Sequence, residues 1–177
     1  KLISIAPAEI EELHLAIPLV VESRKLRPYQ LEAIDAWAKA DFQGILEMAT
    51  GTGKTVVSAL DFKRLFNSGE VKTLLFIAHR QEILKQSRRV FRDVMKSGTF
   101  GEMFVDGQKP TEWKFVFASV QSLLQMSLED LDPSHFDMII VDEFHHYPAK
   151  SYVKPLTYFK PKYLLGLTAT PERTDGK

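Results

Sequence analysis

Two short stretches hold residue types whose order could do chemistry. The first is Ala49-Thr50-Gly51-Thr52-Gly53-Lys54-Thr55, set between an apolar run (Gly44 to Ala49) and a helical stretch (Lys54 to Phe66). Glycines there let backbone N–H groups curl around a triphosphate, and a helix N-terminus adds its partial positive charge. In such a turn a lysine reaches the β- and γ-phosphates and the next hydroxyl coordinates Mg²⁺, which gives Lys54 and Thr55 their expected tasks. The strict pattern asks for glycine five residues before Gly53, where Met48 stands. Enough glycine remains for Thr50, Gly51, Thr52 and Gly53 to form the cradle.

The second stretch, Met138 to Glu143, is an apolar strand ending in adjacent carboxylates. Asp142 would hold Mg²⁺ through its water shell, and Glu143 would orient and deprotonate an attacking water. Taken singly, one stretch could be a turn capping a helix and the other a solvated acidic pair. In this order, each in its strand context, they predict ATP and Mg²⁺ as ligands. His145 and His146 stand beside the acidic pair, but no further ligand has the spacing of a zinc site.

These residues need elements to position them, and the chain alternates accordingly. Pro28 suits the first position of a helix with apolar residues at Leu31, Ile34, Trp37 and Ala38. Thr73–Ala78 is continuously apolar, as in a strand buried on both faces. Arg80–Lys96 is the clearest helix: Ile83, Leu84, Val90, Phe91, Val94 and Met95 lie opposite Lys85, Arg88, Arg89, Arg92 and Lys96. A strand over Lys114–Ser119 and a short helix over Val120–Met126 precede the acidic strand. A helix over Ser151–Phe159 and a strand over Tyr163–Leu167 follow it. Before Pro28, a short helix over Ala8–Leu15 is expected between Pro7 and Pro18. Apolar strands alternating with helices predict an α/β domain, a mostly parallel sheet covered on both faces.

Composition narrows the partners. Lysine plus arginine equals aspartate plus glutamate at 23 each, so any nucleic-acid surface must be local. The basic helix face is one candidate and reads first as an ordinary solvated surface. The absence of cysteine excludes disulfides and cysteine-based metal sites, and accords with a reducing cytoplasm, the expected location. No apolar run approaches the roughly 20 residues of a membrane span, and no membrane partner is expected.

In order, Leu26-Arg27-Pro28-Tyr29-Gln30, Ala49–Thr55, Ile77-Ala78-His79-Arg80, Asp142-Glu143-Phe144-His145 and Thr168-Ala169-Thr170-Pro171 resemble the motifs of superfamily 2 helicases. The likeness is to DExH-type DNA translocases, among them bacterial repair-type helicases and restriction-enzyme motor subunits. It implies a RecA-like three-layer sandwich over residues 26–177, with residues 1–25 as a lead-in. It also implies that the strand ending at Leu167 lies between the phosphate-loop strand and the acidic strand. By position, Gln30 would read the adenine edge with Arg27 stacked on the base, and His145 would complete the catalytic box. Arg80, Ser119 and Gln121 would contact a nucleic-acid backbone without sequence preference. Thr168 and Thr170, which could also be plain turn residues, would couple hydrolysis to movement. Thr-Ala-Thr and Ala78-His79-Arg80 differ from the RNA-remodelling DEAD-box pattern, so DNA is the expected partner. A second RecA-like domain, absent here, would supply arginine fingers, since Arg173 stands too near Thr170 to be one. The alternatives are a non-helicase P-loop ATPase and a nucleic-acid-binding module with little catalysis.

Overall fold

Leu74–Ala78 and Met138–Val141 have no polar member, and a strand of that kind is stable only when both of its faces are covered. The computed structural model describes residues 2–4, 28–49, 53–143 and 150–170, and covers them in that way. The elements are β1 (Leu2–Ser4), α1 (Pro28–Lys39), β2 (Gln43–Ala49), α2 (Lys54–Asn67), β3 (Leu74–Ala78) and α3 (Gln81–Met95). They continue as β4 (Glu102–Phe104), β5 (Phe115–Ser119), α4 (Val120–Gln125), β6 (Met138–Asp142), α5 (Lys150–Tyr158) and β7 (Tyr163–Thr170). The helix expected over Ala8–Leu15 lies outside the described residues.

The seven strands run in the order β1-β2-β7-β6-β3-β5-β4, every pair parallel. Strand β7 therefore lies between β2 and β6, as the family resemblance requires. Residues of the expected lead-in contribute a strand, since Leu2, Ile3 and Ser4 pair with Ile45, Leu46 and Glu47. Side chains alternate as strand geometry dictates. Leu74, Phe76 and Ala78 join one core with α1, α2 and α3, while Leu75 and Ile77 join another with α4 and α5. These are the two covered faces of a three-layer α/β domain.

The buried stripe of α1 is Gln30, Ala33, Ile34 and Trp37, whereas Leu31 is exposed. The helix is rotated relative to the apolar set expected from sequence because Trp37 dominates its packing. The Trp37 indole donates to the Leu164 carbonyl at 3.0 Å and its ring meets Phe42 edge-on at 5.2 Å. Helices α2 and α3 are fastened together. Phe62 and Phe91 lie 5.9 Å apart, and Lys63 Nζ donates to the Val94 carbonyl at 3.0 Å, satisfying a carbonyl of the last turn of α3. Arg92, expected on the solvated face, turns inward: its Nε donates to the Phe100 carbonyl at 2.8 Å.

Strand β4 has no counterpart among the expected elements. It is three residues long and follows a glycine turn. Gly101 has φ 78°, and a Cβ there would lie 2.5 Å from Phe117 Cε2, whose ring stacks on Phe76 at 5.4 Å. Only glycine lets the chain pass that ring. Gly101→Ala is expected to cost about 2–4 kcal/mol, from left-handed strain plus overpacking. Gly98→Ala, in open space, should change stability by less than about 0.5 kcal/mol. Denaturant unfolding of the two variants checks the contrast.

Candidate nucleotide and nucleic-acid site

The crevice of a parallel sheet lies at the carboxyl ends of its strands, where the order reverses. Chain connectivity puts that reversal here: β2 leads through α2 to β3, while β7 and β6 fill the gap between them. The candidate chemistry gathers at this edge.

Gly53 is the N-cap of α2, with φ 81°. A Cβ on it would sit 3.2 Å from Gln30 Nε2. The last glycine of the phosphate turn is therefore packed against the Gln30 amide, and a side chain there would crowd it. Gln30 is buried in the first turn of α1, so the two sequence-distant candidates are brought together. Lys54 opens α2 and Thr55 follows, both half-buried.

Asp142 ends β6 and is buried to 7% exposure. Burial pushes its carboxyl above the usual range. The Glu143 backbone N–H, donated to Oδ1 at 2.8 Å, and the charge of Lys54 pull it back. Lys54 is thus electrostatically coupled to Asp142, although β7 lies between their strands. Glu143, half-buried, has φ 54°, a conformation uncommon outside glycine.

Thr168 is buried on β7 and pairs with Glu47 of β2, one residue beyond the Asp142–Leu167 pair. The Thr168–Thr170 backbone runs between the phosphate-loop strand and the end of the acidic strand, with Ala49 opposite Thr170. Arg80 is exposed at the N-cap of α3. Ser119 is the N-cap of α4: its Oγ accepts from Ser122 N at 3.1 Å and donates to Ser122 Oγ at 2.9 Å. Its hydroxyl serves the helix, and Gln121, in the first turn of α4, is exposed. Arg27, Thr50, Gly51, Thr52 and His145 lie outside the described residues, and Thr170 is described only as strand backbone.

Two residues with no assigned role in the sequence stand among these. His79, 9% exposed at the end of β3, places Nδ1 3.4 Å from Gln121 Nε2. Its ring meets Tyr152 of α5 edge-on at 5.0 Å. Burial pushes the imidazole below its usual pKa, opposed by the nearby Glu143 charge. The sequence signal for His79 was its position just before Arg80; Tyr152 gave none.

Residues 23–173 match the family described as type III restriction enzyme, res subunit. The chain belongs to that family, within the superfamily 2 helicase-type motors. This res-subunit-type domain is 32% identical over 163 residues to the DNA 3'-5' translocase XPB2 of Sulfurisphaera tokodaii, covering 92% of this chain and 35% of that protein. It is 32% identical over 174 residues to the putative ATP-dependent helicase IRC3 of Saccharomyces cerevisiae, covering 85% of this chain and 24% of that protein. The domain thus spans about a third or less of these relatives. Its fold superposes with a TM-score of 0.70 on the SWI2/SNF2 ATPase core of Sulfolobus solfataricus in complex with dsDNA, at 21% identity, covering 86% of this chain and 33% of that one.

The buried carboxylate yields a pH prediction. The folded-state pKa of Asp142 lies above the unfolded one, so its contribution favours folding at low pH and is lost as pH rises through the folded value. Asp142→Asn, neutral throughout, should therefore raise the melting temperature at neutral pH. The gain should shrink as pH falls into the carboxylate range; a gain independent of pH would contradict this.

Proposed function

We propose that this res-subunit-type domain binds and hydrolyses ATP as the first motor domain of an ATP-dependent DNA helicase or translocase. One observation carries the reading: a buried Asp142 under the charge of Lys54, at the sheet edge that also presents Arg80 and Gln121. Thr50 to Gly53 and the N-terminus of α2 receive the phosphates, and Lys54 compensates their negative charge. Gln30, held against Gly53, reads the adenine edge, with Arg27 on the base.

The donors at the site fit magnesium. Thr55 and Asp142 offer hard oxygens, and among the described residues no group of three or more His, Cys, Asp or Glu could enclose an ion. Magnesium is held in this manner, by one or two protein oxygens with water and phosphate completing its shell. Bound there, it would neutralise charge developing on the transferred phosphoryl group. Glu143, the neighbour of Asp142 in sequence, draws the proton from the attacking water. His145 completes the box, and Thr168 and Thr170 couple hydrolysis to movement from the strand between the two charged groups. Arg80 and Gln121 take phosphates of a nucleic-acid strand, independent of sequence. The name of the XPB2 relative and the dsDNA in the SWI2/SNF2 structure favour DNA.

In this reading a second RecA-like domain, outside these residues, supplies arginine fingers, worth a factor of about 10³–10⁵ in related phosphoryl transfers. The 177 residues alone should bind ATP–Mg²⁺ weakly and hydrolyse it very slowly. In the full-length protein, Glu143→Gln is expected to lower turnover by at least about 10²-fold while retaining nucleotide binding. Steady-state hydrolysis with single-stranded DNA, duplex DNA and RNA, beside a nucleotide-binding measurement, tests both statements. An unchanged rate in Glu143→Gln, or vigorous DNA-stimulated hydrolysis by the isolated domain, refutes the corresponding one. Stimulation by RNA alone would move the motor to the RNA branch.

A further inference from the structure

Three neighbouring strand ends meet at the carboxyl edge of the sheet. Ile77 of β3 is level with Val141 of β6, and Ala78 with Ser119 of β5. His79 directly follows β3, Glu143 directly follows β6, and Gln121 lies in the first turn of α4 directly after β5; β3 is the middle one of these three strands. Parallel strands lie about 4.8 Å apart, so the histidine stands between the proposed base and the proposed nucleic-acid contact.

The ring is held on several sides. Gln121 Nε2 lies 3.4 Å from Nδ1. That contact ties the side-chain amide of Gln121 to the imidazole of His79. Tyr152 presses its ring edge-on at 5.0 Å and 88°. The Glu143 charge acts on the imidazole from β6. Glu143 itself adopts φ 54°, a conformation of the kind that persists where surrounding structure imposes it.

We infer that His79 is a positioning residue, held by Gln121 and Tyr152, which orients the Glu143 carboxylate and ties that orientation to the occupancy of Gln121 by a nucleic-acid phosphate. Gln121 is exposed and its amide has two alternatives: the His79 ring, or a phosphate oxygen of a bound strand. A hydrogen bond to an ionised phosphate is about twice as strong as a neutral one, so a bound strand draws the amide away. The ring is then re-set beside Glu143. The bond made and broken in this step is a hydrogen bond; no covalent chemistry is added to hydrolysis. The inference rests on the functional reading above.

The test uses the full-length protein, with ATP hydrolysis measured against ATP at saturating single-stranded and duplex DNA. His79→Ala is expected to lower the DNA-stimulated kcat at least about tenfold, with KM for ATP and DNA affinity within about twofold of wild type. That pattern marks an interaction realised only in the transition state. His79→Asn, which keeps a hydrogen-bonding group near Nδ1, should recover part of the loss. The effects of His79→Ala and Gln121→Ala should be non-additive, the double variant being no slower than His79→Ala alone. A stimulation ratio equal to wild type in His79→Ala overturns the inference, as does a parallel loss of ATP affinity and melting temperature. Should His79→Ala fail to fold, Gln121→Ala at an exposed position decides: losing the amide should raise DNA-free hydrolysis toward the stimulated rate, and an unchanged DNA-free rate overturns the inference. A wild-type protein unstimulated by any nucleic acid overturns both this inference and the functional reading. Normal stimulation that is abolished by Glu143→Gln but indifferent to His79→Ala overturns this inference alone.

Discussion

Everything at the carboxyl edge depends on keeping one carboxylate in a place that disfavours its charge. Asp142 is nearly shut off from water at the end of a strand whose other residues are wholly apolar. An isolated ion there would neutralise itself by taking a proton. Two things oppose that: a backbone N–H from the next residue, and a lysine borne by the helix that follows β2. The strand that leads into that helix is separated from β6 by β7. A cation and a buried carboxylate at one sheet edge can both be satisfied by a third, strongly charged body, and a magnesium–triphosphate complex is one.

Sheet order makes this arrangement possible. If consecutive strands were neighbours, the phosphate turn and the acidic strand end would lie at opposite sides of the sheet. Returning the chain so that β6 and then β7 fill the space beside β2 brings residues almost ninety positions apart onto one edge. Right-handed crossovers then put α2 and α3 on one face, α4 and α5 on the other. The polar residues stand just past the apolar runs because the covered sheet has no room for them within.

Much of this was legible in the residues. Continuous apolar runs marked β3 and β6, and the glycine turn before Lys54 marked the start of α2. Those signals arise from burial on both faces and from backbone geometry, which composition records directly. Strand order came from the resemblance, since no local pattern encodes which strands pair. Strand β4 escaped because three residues beside a glycine turn carry no periodicity. The rotation of α1 escaped because one tryptophan outweighs a stripe of smaller side chains. The inward turn of Arg92 was hidden for a different reason: a guanidinium seeking carbonyls looks, in sequence, like one seeking solvent. At the site, Lys54, Asp142 and Glu143 announced themselves by type and order. The partnership of Gln30 with Gly53 and the enclosure of His79 are contacts between distant segments, visible only once folded.

The ammonium of Lys63 on the last turn of α3, together with the facing phenyl rings of Phe62 and Phe91, makes the two helices a single lever. One end of that lever bears Lys54, at the tip of the phosphate turn; its other arm begins at Arg80. Sliding of one arm against the other would have to break the Lys63 bond and part those rings, so the two arms are braced where they cross.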